Sequence, residues 1–286
     1  ALAALATSIS AHATIYGVSV NGISQGPGFN LYIRSPPSNS PIKDLSSPSL
    51  ACNVNGGTPA PSFVRVAAGD TLTLEWQHDR QGDDIIDPSH QGPIITYIAP
   101  LTASTGDGSG PIWTKIAEDG FAGGRWAVDR LIANRGKNDV VLPRALAAGR
   151  YLVRQEIIAH HESDVAFKDN KDRGAQFYPG CLQFDVSGEG TAVPDQGFDF
   201  NVGYTYADPG IVFNKYAPFS SYKIPGPAVW TGAGTGGGGA PAPVPVVSAP
   251  ANPGNPAATT TTKTAAGVGA SPTPTAGPVS PPVQPP

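Results

Sequence analysis

The sequence predicts an all-β domain, an antiparallel β-sandwich with long loops, followed by a disordered tail rich in Pro, Thr and Gly. Three observations carry that reading. Short runs of β-branched and aromatic residues, many with period-2 alternation, recur along the chain and are bounded by Gly, Pro, Asn or Asp. No long segment has helical period. From residue 233 onward the composition changes to AGTGGGGAPAPVPVVSAP and then SPTPTAGPVSPPVQPP, with one charge and no aromatic residue. A segment of that kind cannot bury enough apolar surface to offset its chain entropy, so it reads as a linker or stalk.

The elements follow in order. Residues 1–11, ALAALATSISA, are small or apolar, uncharged and without an initiating Met, which reads as the remnant of a signal peptide. The protein is therefore expected to be secreted and extracellular, with its domain over 12–232 and the tail over 233–286. TIYGVSV from Thr14 is the first strand. A long connection runs from Gly22 to Ser62, and FVRV at Phe63 and DTLTLEW at Asp70 are the next strands. QGDDIIDPSH is a turn whose Asp83, Asp84 and Asp87 read as solvated caps rather than as an acid/base pair for glycoside cleavage. GPIITYIAP from Gly92 is a strand, and a second long connection spans Thr102 to Asn138. GRYLVRQEIIAH from Gly149 and AQFYPGCLQFDV from Ala175 complete the set. Both long connections exceed ordinary loop length, which marks them as functional.

Charge and motifs exclude several classes. A net charge of −4 leaves no electrostatic footprint for nucleic acid, and no apolar run is long enough to cross a bilayer, so neither is an expected partner. The two cysteines, Cys52 and Cys181, lie far apart and suit one long-range disulfide in an oxidising compartment. Neither an HExxH nor a GxSxG motif occurs.

Among five histidines, His12 stands at the processing junction. If the chain is cut directly before it, one residue offers a metal two nitrogens, its free amine and its ring. A second histidine then completes an all-nitrogen site, which suits copper. The rival reading is a histidine near a cleavage site by chance.

Several stretches tip the balance. The HATI start at His12, DPSHQGPIITYIAP around His90, GRYLVRQEIIAHH, GAQFYPGCLQF, YTYADPGIVFNKY and YKIPGPAVWTG together resemble the fungal copper-dependent lytic polysaccharide monooxygenases of auxiliary activity family 9. The resemblance covers His12 to about Gly232, in order. It implies an immunoglobulin/fibronectin-like β-sandwich holding one copper ion between His12, through amine and ring, and His90, with Tyr178 axial. His161 and Gln176 are implied as outer groups that hydrogen-bond to the oxygen species at the metal. Cys52 and Cys181 match the family's disulfide. Gln176 and Tyr178 are two apart on one strand and so share a face, which agrees with this assignment.

The implied reaction uses O2 or H2O2 and an external electron donor, a small phenol or a secreted redox protein, to oxidise C1 or C4 of a β-1,4-glucan such as cellulose or a hemicellulose. A monomer is expected to dock on the polysaccharide surface through Tyr204 and Tyr206, and more weakly Tyr32, because a planar ring offers apolar area to a sugar face at little entropy cost. His78 reads as structural, its ring satisfied by Asp79 or a carbonyl. His160 departs from the family, which has an apolar residue there, and alternation lets only one of His160 and His161 approach the metal. The link ESDVAFKDNKDRGA between His161 and Gln176 is longer and more charged than the family's, and is expected to bulge into solvent. The alternative function is a non-catalytic secreted protein that binds polysaccharide or copper.

The simple small-residue rule for signal cleavage favours a cut after Ala13, whereas the resemblance requires His12 first. Mass spectrometry of the amino-terminal peptide of the secreted protein is expected to show a start at His12; a start at Thr14 removes the proposed ligand.

Overall fold

The computed structural model describes residues 12–232. The expectations for a signal remnant and a disordered tail fall outside the described residues. Eleven strands and three short helices follow in the order β1 (Thr14–Val20), β2 (Ile23–Pro27), α1 (Ser49–Cys52), β3 (Val64–Ala67), β4 (Thr71–Gln77), β5 (Ile94–Pro100), β6 (Thr114–Asp119), β7 (Phe121–Ala122), β8 (Arg125–Trp126), α2 (Ala127–Ala133), β9 (Lys137–Val141), β10 (Gly149–Ala159), β11 (Gln176–Ser187) and α3 (Phe200–Gly203). All six strands expected from alternation are present. The connection Thr102–Asn138 is not wholly irregular, since it contains β6, the β7–β8 hairpin, α2 and the start of β9. Likewise β2 and α1 lie within Gly22–Ser62.

The strands form a sandwich. One sheet has the order β2-β1-β4-β9 and the other β3-β11-β10-β5-β6. Every pairing is antiparallel except β3 with β11, which is parallel, so the sandwich is mixed at that edge. Alternation decides which residues meet between the sheets. Ile15, Val18, Leu72, Leu74 and Trp76 from the smaller sheet pack against Ile94, Ile98, Val153, Ile157, Leu182 and Phe184 from the larger. Two packed faces of this kind bury alternate residues of each strand.

The larger sheet is buried on its outer face as well. There Ile95, Tyr97, Leu152, Ile158 and Phe177 are covered by Ile42, Leu45, Leu50, Phe200 and Tyr204 from the connections. A disulfide between Cys52 and Cys181 ties α1 to β11. Arg154 of β10, fully buried in this layer, donates from Nε to the Ala51 carbonyl at 2.6 Å and from Nη2 to Glu156 at 2.8 Å, and stacks 3.7 Å over the Phe200 ring. On the opposite face of the same strand Gln155 accepts from the Trp76 indole at 2.7 Å and donates to Thr96 and Asn138. Each buried polar group on β10 is thus paired, which offsets the cost of removing it from water.

Burial corrects two expectations, one in this outer layer and one in the core between the sheets. Tyr204 is 2% exposed, with its hydroxyl donating to Glu156 at 2.5 Å and touching Tyr97, so it belongs to the core and offers no face to a sugar. Tyr32 is 3% exposed and donates to the Gly26 carbonyl at 2.5 Å while accepting from the Val18 amide. A buried hydroxyl needs a partner, and both rings are turned inward to satisfy theirs.

The two sheets approach closely where β1 crosses β11. A Cβ at Gly180 stands only 2.7 Å from the tip of Ile15, so the absence of a side chain is what lets β1 seat there. Gly180 is two residues from Tyr178, and Ile15 is three from His12. Gly180→Ala is therefore expected to destabilise the domain by about 1–3 kcal/mol through overpacking, read as a lowered melting temperature, whereas an unchanged melt rejects this packing account.

Candidate metal centre

Three strand ends deliver the site. His12 precedes β1, His90 ends the turn before β5, and Tyr178 lies near the start of β11. Their rings form a near-equilateral triangle, with centroids 6.1 Å apart for His12 and His90, 5.9 Å for His12 and Tyr178, and 6.0 Å for His90 and Tyr178.

Local structure places each one. Asp87 accepts from the Ser89 amide at 2.7 Å through its side chain and from the His90 amide at 3.0 Å through its carbonyl, which closes the turn that presents His90. Gly92 then passes so near β10 that a Cβ there stands 1.8 Å from the Ile158 carbonyl oxygen; only Gly fits. Main-chain bonds from Ile158 to Pro93 and from His160 to Gln91 continue the ladder beyond the strand end. As a result the His161 ring lies 4.0 Å from that of His90.

His160 turns the other way. It is 1% exposed, with Nδ1 2.8 Å from Ser163 Oγ and Nε2 2.9 Å from the Tyr222 hydroxyl, and its ring packs beside Trp126 and Phe213. Of the histidine pair, His161 alone neighbours the triangle.

Tyr178 and Gln176 share a face, and the phenol donates to Gln176 Oε1 at 2.5 Å. Gln176 donates in turn to Glu162 at 2.9 Å, and Glu162 is paired with Lys43 at 3.0 Å. The link 162–175 therefore does not simply bulge outward: Glu162 at its start reaches the site, and the Gly174 amide closes on the Glu162 carbonyl.

Burial sets the protonation of the donor set. It pushes His90 down to about 3, with His161 adding to the effect. His12 is lowered by burial and then by His78, and His161 is lowered chiefly by burial. The Tyr178 phenol is raised well above its ordinary value by burial and then by Glu162. At neutral pH the site thus presents neutral imidazoles and a neutral phenol, and the neutral imidazole is the metal-binding form.

The residues fit a copper ion. His90 Nε2 is buried and has no hydrogen-bond partner among the described residues, while its Nδ1 lies 3.2 Å from Ser89 Oγ. A metal–nitrogen bond of about 2 Å added to about 1 Å from ring centre to nitrogen gives about 3 Å per histidine, so two opposed rings span the 6.1 Å observed. Two imidazoles with a phenol form a nitrogen-rich set suited to copper.

Other candidates resolve differently. Asp83 accepts from the backbone amides of His78, Asp79, Arg80 and Ile85, so it caps a turn and has no free lone pairs for catalysis. His78 pairs through Nδ1 with Asp84 at 2.8 Å. Tyr206 is half-buried, accepting from the Leu45 amide, with Lys168 over its ring. Tyr216 escaped the sequence reading. It is 67% exposed and donates to the His161 carbonyl at 3.2 Å, which sets an open aromatic ring at the edge of the centre. Its signal was the end of the YADPGIVFNKY segment, where the earlier tyrosines drew attention instead.

The fold and the site define a β-sandwich protein in which two histidines and a tyrosine converge as a candidate metal centre. Residues 12–222 match the sequence profile of Auxiliary Activity family 9 (formerly GH61), a match that begins at His12. The chain is 59% identical over 232 residues to an AA9 family lytic polysaccharide monooxygenase A from Collariella virescens, covering 80% of this chain and 85% of that protein. Longer relatives occur in Aspergillus; the chain spans 65% of one from Aspergillus fumigatus. Among solved structures, CvAA9A is 59% identical with a TM-score of 0.76, over 77% of this chain and 99% of that one. A cellulose-active polysaccharide monooxygenase from M. thermophila is 31% identical with a TM-score of 0.63, over 77% and 99%. The chain belongs to auxiliary activity family 9, the copper-dependent lytic polysaccharide monooxygenases, and is an oxidoreductase of that class.

A pH dependence follows from the buried imidazoles. His90 and His160 are both held near 3 by burial in the fold and return to about 6.5 when it opens. Between those values the unfolded chain binds more protons, so stability is lost as pH falls through that window. Thermal melts of the metal-free protein are expected to decline from pH 7 to pH 4, and a flat profile contradicts the buried-neutral assignment.

Proposed function

We propose that this protein oxidatively cleaves β-1,4-glucan, cellulose or a related hemicellulose, at C1 or C4, using O2 or H2O2 and an external electron donor. The observation that carries this reading is the triangle of His12, His90 and Tyr178 beside the exposed ring of Tyr216. Copper bound between the histidines supplies one-electron chemistry that activates the oxidant for attack on a glycosidic C–H bond.

The chain's own residues do the rest. His12 and His90 hold the metal, with the His12 amine available once processing exposes it. Tyr178 donates its phenolic hydrogen to Gln176, so it would stand beside the metal as a neutral phenol and a weak oxygen donor. Glu162 fixes the Gln176 amide and thereby the direction of that hydrogen bond. His161, beside His90, is placed to donate a hydrogen bond toward a bound oxidant and to move a proton. Tyr216, and farther out Tyr206, offer rings for stacking on sugar faces. A small phenol or a secreted redox protein delivers the electrons. The protein acts as a monomer in this reading.

The test incubates the copper-loaded, His12-terminated protein with cellulose, xyloglucan or xylan, with and without ascorbate. Oxidised oligosaccharides seen by mass spectrometry only with reductant are the expected result. Cleavage without reductant points to a hydrolase, and stoichiometric copper without products points to a binding protein. His161→Ala is expected to lower product formation by about 10- to 1000-fold while copper stays bound.

A further inference from the structure

Lys215 follows Asn214 in the segment that carries Tyr216, and it holds the residues on either side of His90, Ser89 by its main chain and Gln91 by its side chain. Its ammonium donates to the Ser89 carbonyl at 2.6 Å and to Gln91 Oε1 at 3.1 Å. Gln91 is held in that orientation because its Nε2 donates to Asp129 at 3.0 Å, and Asp129 accepts from the Trp126 amide at the start of α2. The ammonium also lies 5.1 Å from the centre of the Tyr216 ring. Tyr216 in turn reaches the carbonyl of His161. One dipeptide therefore contacts the residues on both sides of His90 and the backbone of its neighbour His161.

The ammonium's direct partners are a carbonyl, an amide and a π face, all uncharged. Among the described residues no carboxylate lies within ion-pair distance of it. Its surroundings exclude part of the solvent, so its charge is screened less than that of a free surface lysine. The geometry brings that charge close to the centre, since its two hydrogen-bond partners are the residues on either side of His90, while Asp129 and Asp87 act on it from beyond ion-pair distance.

A fixed positive charge repels a doubly charged ion more than a singly charged one, and the difference grows as the dielectric falls. We propose that Lys215 is a positioning residue of the metal centre whose cation, clamped on both flanks of His90, favours the singly charged, reduced copper over the doubly charged, oxidised one. The inference rests on copper occupying the His12–His90 site. The electron comes from the external reductant, one per copper, and no bond is made or broken at Lys215.

Charge and clamping separate by substitution. Lys215→Arg keeps the charge and the donors, Lys215→Gln keeps a donor without the charge, and Lys215→Met keeps length alone. Spectroelectrochemical titration of the copper-loaded proteins is expected to leave the Arg variant at the wild-type potential. Both neutral variants are expected to lose roughly three- to tenfold in the preference for Cu(I) over Cu(II), about 30 to 59 mV for a one-electron couple. Melting curves on the same samples verify folding. A wild-type potential in Lys215→Gln overturns the proposal, as does a shift confined to Lys215→Met, which assigns the effect to the clamp. A wild-type protein that binds no copper overturns this inference together with the copper reading, whereas bound copper with a charge-insensitive potential overturns this inference alone.

Discussion

The register of β10 against β11 is the constraint on which the centre depends. Gly149 pairs with Val186 at one end and Ala159 with Gln176 at the other, without a break. Because side chains alternate across a sheet, a slip of one residue turns a whole strand over. Such a slip would carry Tyr178 and Gln176 from the inner face to the outer one. The same ladder ends where His160 and His161 begin, so it also fixes which of the pair meets His90. The disulfide from Cys181, the bridges of Ile33 with Leu182 and of Ile42 with Phe177, and the seat of Ile15 on Gly180 all bear on β11. They hold in place the strand that carries the phenol.

Burial does two different jobs in this molecule. In the outer layer of the large sheet it encloses charge, and Arg154 survives there because Glu156, Ala51, Leu50 and the Phe200 face complete its surroundings. At the metal centre it removes charge, because imidazoles with no carboxylate bonded to them are cheaper to keep neutral than to ionise. The outcome is a nitrogen-rich, uncharged pocket flanked by charged groups at one remove. Glu162 with Lys43 stands behind Gln176, and Lys215 stands behind His90. Ligand atoms and tuning charges thus sit on separate shells, which lets one be adjusted without altering the other.

Much of the fold was legible in the chain. DTLTLEW and TIYGVSV read as strands because one face of each meets the core and the alternation shows. The long strands GRYLVRQEIIAH and AQFYPGCLQFDV were legible through their length and their β-branched and aromatic content, although both of their faces are buried. Strand β6 and the start of β9 were hidden inside a supposed loop because TKIAED and KNDVV are rich in charge, including the buried Lys115, and show little apolar alternation. The five candidate site positions, His12, His90, Tyr178, His161 and Gln176, were legible because family motifs, not periodicity, mark them, and they lie together. Tyr204 and Tyr32 were misjudged for a physical reason: a tyrosine in a loop looks available, yet here Tyr204 fills the second core layer and Tyr32 the core between the sheets.

By itself the sequence determined the all-β class, the strand positions with strong alternation, the pairing of its two cysteines and the family to which His12, His90 and Tyr178 belong. Each of these rests on local pattern or on motif. Tertiary structure decided which histidine of the pair lies against His90, which tyrosine is exposed nearby, and that Lys215 lies against both flanks of His90. Those facts depend on contacts between residues far apart in the chain, such as Lys215 with Ser89 and Tyr216 with His161. No local propensity encodes such meetings; packing two sheets and their covering connections around one core does.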